Sequence, residues 1–321
     1  MKKLLSLILA LALAASAAGC AAQPASGSAS APAPSSSVSA PAAGKPGTDP
    51  SGAEVNIPDE IGSVVVLAPS IAETLVALGC GELIVGYDTQ SAGLAGLPEG
   101  VPTFDLMQPD MEQLAALKPD VLFVSNMTLY DQSNPYQQLM DLGVCVLCVP
   151  TAGSIAAIQE DIAFIAAAMG KSAEGDALLA DMQAELDRIA AIGAAVTDKK
   201  SVYFEIGAAP SMYSFGGGVF LNEMIELIGA ENILAGQEGW LAVEAETIVA
   251  ADPDVILTNV NYIDDPVAEI LGRSGWEGMS AVQNGQVFYI DNMASSLSNQ
   301  NIVKALDQMA KAVYPELFSA E

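Results

Sequence analysis

From Ser63 to Pro150, short runs of β-branched and apolar residues alternate with stretches in which apolar residues recur every three or four positions. SVVVLA, LIVGY, VLFVS and VCVLCVP read as strands, and IAETLVALG, MEQLAALK and NPYQQLMDLG read as helices between them. Strands separated by helices predict right-handed βαβ crossovers and a parallel sheet. A helix from Ser154 to about Met169 closes this half of the chain. GDALLADMQAELDRIAAI then supplies about eighteen strong helix formers with Gly193 as a stop, a strut of roughly 27 Å. After Lys199 and Lys200 the alternation resumes with SVYFEIG, GVFLNEMIELIG, AETIVAADPDVILTN and VFYID, and a last helix runs from about Ser298 to Tyr314. One continuous strut is stiffer than a hinge of several strands, so large closing motions are not expected.

The two halves share a sentence. MEQLAALKPDVLFVSN, beginning at Met111, is echoed by AETIVAADPDVILTN, and alignment on the PDV triplets pairs Glu112 with Glu246 and Pro119 with Pro253 at one offset of 134 residues. In each copy a carboxylate opens a short helix, a proline ends it, and a strand follows. The period is too long for a solenoid and implies two similar lobes, unless a helix-Pro-Asp-strand pattern has recurred by chance.

The N-terminus bears on the compartment. MKKLLSLILALALAASAAGC has two lysines, an apolar stretch too short for a comfortable spanning helix, and small residues before Cys20, the pattern of a cleaved secretory signal. Ala17-Ala18-Gly19-Cys20 resembles the lipobox of bacterial lipoproteins, with Ala17 where Leu is more usual, which would make Cys20 the lipidated first residue of an extracytoplasmic, membrane-anchored protein. From Ala21 to about Gly52 the chain is Ala, Pro, Ser and Gly with no apolar periodicity and reads as a flexible tether. No second apolar run is long enough to span a membrane.

Eleven basic residues face 39 acidic ones, and without Lys2 and Lys3 the balance is 9 against 39, a net charge of −30. Such a body is repelled by nucleic acid and anionic lipid, which points away from both as partners. The chain has no histidine, which excludes His-based triads and the usual histidine-containing zinc centres. No nucleophile elbow, phosphate-binding loop or dinucleotide fingerprint occurs, so an enzyme is not expected. Cys80, Cys145 and Cys148 read as small core residues. Cys145 and Cys148 lie in a β-like run rather than at the helix start of a redox pair, and a single disulfide is left open.

Taken together, VVVLAPSIAETLVALGCGELIVGY, MEQLAALKPDVLFVS, VYFEIGAAPSMYSFGGGVFLNEMIELIGAENIL, GWLAVEAETIVAADPDVILT and IVKALDQMAKAVYPELF resemble the substrate-binding proteins of ABC importers for cobalamin and ferric siderophores. The resemblance covers nearly all of the chain beyond the tether. It implies an α/β fold of two βαβ lobes with parallel central sheets, joined by a single long backbone helix, with the ligand cleft between the lobes. The corresponding divisions are a signal at 1–19, a tether at 20–53, a first lobe at 54–170, the linking helix at 171–198 and a second lobe at 199–321. It also implies a monomer that touches the membrane through its lipid alone, holds no cofactor, and partners a permease dimer with its ATPase subunits.

In that family paired glutamates on the lobe tips engage permease arginines, and by position these are Glu112 and Glu246. Candidate cleft residues are Pro69, Ser70, Tyr87, Phe104, Asn126, Tyr213, Phe215, Trp240, Asn261, Tyr262 and Asn292, with Trp240 foremost because the family places an aromatic before the matching helix. Trp276 is expected inside the second lobe, and Gly216-Gly217-Gly218 is expected to form a tight loop admitting ligand. Cobalamin binders tend to carry an acidic and a basic residue near the last strand. Here IDNMASSLSNQN keeps Asp291 without an arginine, and the only arginines are Arg188 and Arg273. An aromatic, amide-lined, weakly charged cleft suits a bulky near-neutral metal chelate, a corrinoid or a hydroxamate-type siderophore, better than anionic catecholates or haem. The competing readings are a bare-metal-ion binder using carboxylates and a lipid-anchored surface scaffold without transport.

Overall fold

The structure, a computed structural model, describes residues 44–128 and 134–318. The expected signal, Cys20 and most of the tether lie outside the described residues. Strands are β1 Val64–Leu67, β2 Ile84–Asp88, β3 Thr103–Phe104, β4 Val121–Val124, β5 Cys145–Cys148, β6 Ser201–Glu205, β7 Tyr213–Phe215, β8 Glu231–Asn232, β9 Trp240–Ala242, β10 Val255–Thr258 and β11 Val287–Tyr289. The α-helices are α1 Pro69–Ala77, α2 Met111–Leu117, α3 Gln137–Asp141, α4 Ile155–Ala168, α5 Ser172–Gly193, α6 Phe220–Leu227, α7 Ala245–Ala251, α8 Pro266–Leu271, α9 Ser280–Gln283, α10 Asn292–Ser296, α11 Ile302–Val313 and α12 Pro315–Phe318.

Two parallel sheets form the expected pair of lobes, in the orders β3-β2-β1-β4-β5 and β11-β10-β6-β8. Both faces of each are covered, so alternate side chains of one strand enter different cores. Val64 and Val66 pack with α1 and α4 residues, whereas Val65 and Leu67 pack with Leu114 and Leu139 of α2 and α3. Val202 and Phe204 face Leu221 and Leu306, and Tyr203 faces Ile270 and Trp276. The strut expected from the helix formers is α5, 22 residues long. It packs against α4, α6 and α11. Its last residue, Gly193, is set so close to α6 that a Cβ there would stand 2.1 Å from the Leu227 carbonyl oxygen.

The echoed segments adopt one structure twice. Each helix leaves through a left-handed residue, Lys118 at φ 47° and Asp252 at φ 42°, and each buries one apolar residue, Leu114 or Ile248. The repeated aspartate is a clip between strands. Asp120 Oδ2 accepts from Gly62 N, Ser63 N and Ser63 Oγ at 2.8–3.0 Å, and Asp254 Oδ2 accepts from Ser201 N and Ser201 Oγ at 2.7 Å. In return Ser63 Oγ and Ser201 Oγ accept from the two aspartate amides at 3.1 and 3.0 Å. Each clip pins the start of the lobe's central strand to its neighbour, which accounts for the recurrence of Asp after Pro.

The folded body begins earlier than the tether reading implies, since the described residues from Gly44 onward belong to one compact unit. Residues 47–55 form a strap closed by Val55 N to the Gly47 carbonyl and by a bridge between Thr48 and Glu54. Buried Asp49 accepts from Ser51 N, Ser51 Oγ and Ala53 N through Oδ1, and from Cys148 N on the edge strand β5 through Oδ2 at 2.9 Å. Composition hid this because a single buried carboxylate, rather than apolar periodicity, holds the strap. Cys80, Cys145 and Cys148 are all free, and burial pushes the thiols of Cys145 and Cys148 up to about 11.

Candidate ligand cleft

In each sheet the chain turns back at the central strand, and the loops on the two sides of that switch point diverge to open a crevice at the carboxyl ends. In the first lobe the switch lies between β1 and β4, which places Pro69, Ser70 and Asn126 there. In the second it lies between β6 and β10, which places Asn261 and Tyr262 there. Hydrogen bonds between the lobes bring these edges face to face. Glu73 in α1 accepts from Asn299 Nδ2 at 2.7 Å and Asn301 Nδ2 at 2.9 Å, and Thr74 Oγ1 donates to Gln300 Oε1 at 3.1 Å. Farther along, Ile155 N at the start of α4 donates to Glu223 Oε2 of α6 at 2.8 Å. The helix expected from Ser298 thus starts at Ile302, as α11, because Asn299 and Asn301 are spent bonding Glu73 of the first lobe.

The second-lobe rim is a web of amides. Asn261 Nδ2 donates to Asn292 Oδ1 at 3.0 Å, Asn292 Nδ2 donates to the Asn259 carbonyl, and Tyr262 Oη accepts from Ala208 N at 2.8 Å while its ring is 68% exposed. On the first-lobe side Asn126 Oδ1 accepts from Thr151 N at 3.2 Å, joining the loops after β4 and β5. Asp291 is committed as the cap of α10, accepting from Ala294 N.

The small antiparallel ribbon β7-β9 is absent from the sequence reading, and it carries Tyr213 and Trp240. Trp240 is 44% exposed and stands edge-on against two buried rings, Phe215 at 5.8 Å and Phe220 at 6.4 Å. Phe215 has no exposed surface, so it supports Trp240 from beneath instead of meeting a ligand. Phe104 and Tyr87 likewise point into the first-lobe cores, where the pleat of their strands directs them. The glycine run forms a tight loop that serves the ribbon. A Cβ at Gly216 would stand 2.1 Å from the Gln237 carbonyl oxygen, and Gly217 N donates to that oxygen at 2.7 Å.

No lysine or arginine occurs in any loop that follows a strand in either sheet or the ribbon. Arg273 is turned inward. It holds buried Glu205 through two bonds of 2.6 and 2.9 Å, pairs with Glu269, and lies 4.2 Å over the ring of Trp276, which is 1% exposed as expected. Arg188 pairs with Glu185 and Asp307, tying α5 to α11. Among the described residues no group of three or more Cys, Asp or Glu is arranged to hold a metal ion. Among the same residues no helix is long and apolar enough to cross a membrane. Glu112 and Glu246 occupy the first turns of α2 and α7 with exposed side chains, and the Glu112 amide is capped by Asp110.

Residues 64–294 match the sequence model of a family described as periplasmic binding protein. An ABC transporter substrate-binding lipoprotein of Bacillus subtilis, itself uncharacterised, is 30% identical over 84% of this chain and 85% of its own length. A cobalamin-binding protein of Halobacterium salinarum is 28% identical over 83% of this chain and 73% of its own. Among solved structures, the molybdate-binding protein MolA of Haemophilus influenzae superposes with a TM-score of 0.72 at 26% identity, covering 85% of this chain and 92% of that one.

Proposed function

The chain belongs to the periplasmic binding protein family, a family of solute-binding proteins rather than enzymes, and from that premise we propose that it captures a bulky, weakly charged metal chelate for an ABC importer. The cargo is a corrinoid or a ferric siderophore of the hydroxamate type, held between the lobes and handed to a permease dimer. Cys20, lipidated, anchors the protein outside the cytoplasmic membrane, and Glu112 and Glu246 dock it.

The observation that carries this reading is the half-exposed Trp240, propped on Phe215 and Phe220, in a molecule whose strand-end loops hold amides and hydroxyls but no cation. A propped indole offers a flat apolar surface with little entropy left to lose, and neighbouring amides supply neutral hydrogen bonds. Oxyanions, haem propionates and catecholates need cationic partners of the kind that Arg273 would have been, and its guanidinium is already taken by Glu205 and Glu269. Tyr213, Tyr262, Asn126, Asn261, Asn292 and Ser70 complete the proposed contact set.

A titration followed by tryptophan fluorescence tests the reading, because the chain has two tryptophans and Trp276 is sealed in the core. Cobalamin or a ferric hydroxamate should quench the native protein, and Trp240→Phe should lose that quenching with roughly tenfold or more of the affinity. Binding of molybdate or haem in preference to both neutral chelates would overturn the assignment of cargo.

A further inference from the structure

Glu238 lies in the loop that leads into β9, two residues before Trp240, and it is exposed. Among the described residues none donates a hydrogen bond to its carboxylate or pairs with its charge. The glycine run fixes where that carboxylate stands. Gly217 and Glu238 form a parallel bridge, and a Cβ at Gly218 would stand 2.7 Å from Glu238 Oε2, so the carboxylate fills the space that a side chain at position 218 would take. Gly218 in turn reaches the first lobe, since a Cβ at Gly153 would stand 3.5 Å from the Gly218 carbonyl oxygen. Gly153 belongs to the loop between β5 and α4, whose Thr151 N donates to Asn126 at the first-lobe rim. Glu238 is therefore placed where the ribbon meets the opposite lobe, a short step along the chain from the half-exposed indole.

Other carboxylates near the strand ends are already committed. Asp105 and Asp110 accept from backbone amides around the start of α2, and Asp265 and Asp291 cap α8 and α10. Glu73 and Glu223 bond across the lobes. From Ser201 to Gly272, the stretch that supplies β6 to β10 and the ribbon, the chain has no lysine or arginine, so no neighbouring cation of the protein competes for Glu238. We propose that Glu238 makes the cleft selective for chelates that carry a positive charge, the ferric trihydroxamates with a pendant ammonium being the class that fits. An ammonium held by a carboxylate near an indole gains a charge-assisted hydrogen bond and a cation–π contact, and a cleft edge of one sign draws cations toward it. A single positive charge keeps such a cargo weakly charged. This selectivity rests on the reading of the cleft as a chelate site.

Two forms of one chelate test it. Ferrioxamine B is a ferric trihydroxamate whose terminal amine leaves the complex with a single positive charge, and acetylation of that amine makes it neutral with little change of shape. Equilibrium dialysis of the purified protein, read by the visible absorbance of the chelate, gives the affinity for each form, with cobalamin as a neutral reference. The native protein should hold the cationic form about tenfold more tightly at low salt, and the preference should shrink in about 1 M sodium chloride, where charges are screened within roughly 3 Å. Glu238→Gln should bring the cationic form down to the affinity of the acetylated one and leave the acetylated one unchanged. Glu60→Gln, the same loss of charge at an exposed position before β1, should leave the preference in place. Equal affinities for the two forms in the native protein, or the same effect from Glu60→Gln as from Glu238→Gln, would overturn the role of Glu238. Retention of cobalamin alone would overturn the charge preference and leave the cleft as a chelate site, whereas retention of none of the three would overturn both.

Discussion

Replacing Arg273 with methionine separates an inward, structural arginine from a ligand-binding one. Methionine keeps an apolar stem but removes the guanidinium that bonds Glu205 twice, pairs with Glu269 and covers Trp276. Glu205 is fully buried and would be left as an uncompensated charge. Breaking one side of a buried pair costs about 3–5 kcal/mol, and a desolvated cation–π contact accounts for about 2 kcal/mol within that loss. Urea unfolding followed by far-ultraviolet circular dichroism at neutral pH should therefore show Arg273→Met less stable by about 3–5 kcal/mol.

The pH dependence gives a second handle on the same pair. Burial already raises the Glu205 carboxyl above its ordinary value, even though Arg273 works against the shift. The folded state then holds a proton more tightly than the unfolded one, and stability falls as pH rises between the ordinary value and the raised one. Loss of Arg273 widens that window, so the variant should recover stability relative to the native protein as pH falls toward the ordinary carboxylate range. Glu205→Gln added to Arg273→Met should restore most of the loss, since a neutral amide needs no counter-charge. A deficit below about 1 kcal/mol, or one that neither acid nor Glu205→Gln relieves, would refute the reasoning. Chelate binding by the folded variant should be unchanged.

Asp120→Ala and Asp254→Ala should each lower stability by about 1–3 kcal/mol, and the two losses should add, since the equivalent clips lie in separate sheets. Backbone bonds from Gly62 and Ser63 hold the Asp120 carboxyl below its ordinary value, so its contribution is present above about pH 4 and lost as acid protonates it. Unfolding curves of Asp120→Ala and the native protein should accordingly converge at low pH. The double replacement of Glu112 and Glu246 by Ala should leave chelate binding intact and abolish transport stimulated in permease-containing vesicles; normal transport by that double variant removes the docking role. Asp49→Ala should free the strap from Cys148 N and raise the rate at which a thiol reagent labels Cys148, which in the native protein should react slowly at pH 8 because burial holds the thiol protonated. An unchanged labelling rate would show that the strap stays closed without Asp49.

Much of the architecture was legible in the chain because it is written in local periods. The three- to four-residue spacing of α5 and the continuous apolar runs of β1, β4, β6 and β10 need no distant partner to be read, and the 134-residue echo pointed to two similar lobes. The ribbon β7-β9 escaped because each strand has three residues, too few to show alternation, and because it forms only when Gly216 and Gly217 meet the loop at Gln237. The strap escaped because one buried aspartate holds it. Exposure along the cleft was beyond local reading for the same reason. Phe215 and Trp240 both belong to short aromatic stretches, and only the packing of the ribbon over Phe204 and Phe220 turns one ring down and leaves the other half open. Sequence alone determined the longer helices and strands, the likeness of the two echoed segments and the want of cations in the loops, since those depend on residue type and spacing. Tertiary structure decided where Arg273 spends its charge and how Glu73 meets Asn299 across 226 positions of chain, because those pairings exist only once segments far apart in sequence have packed together.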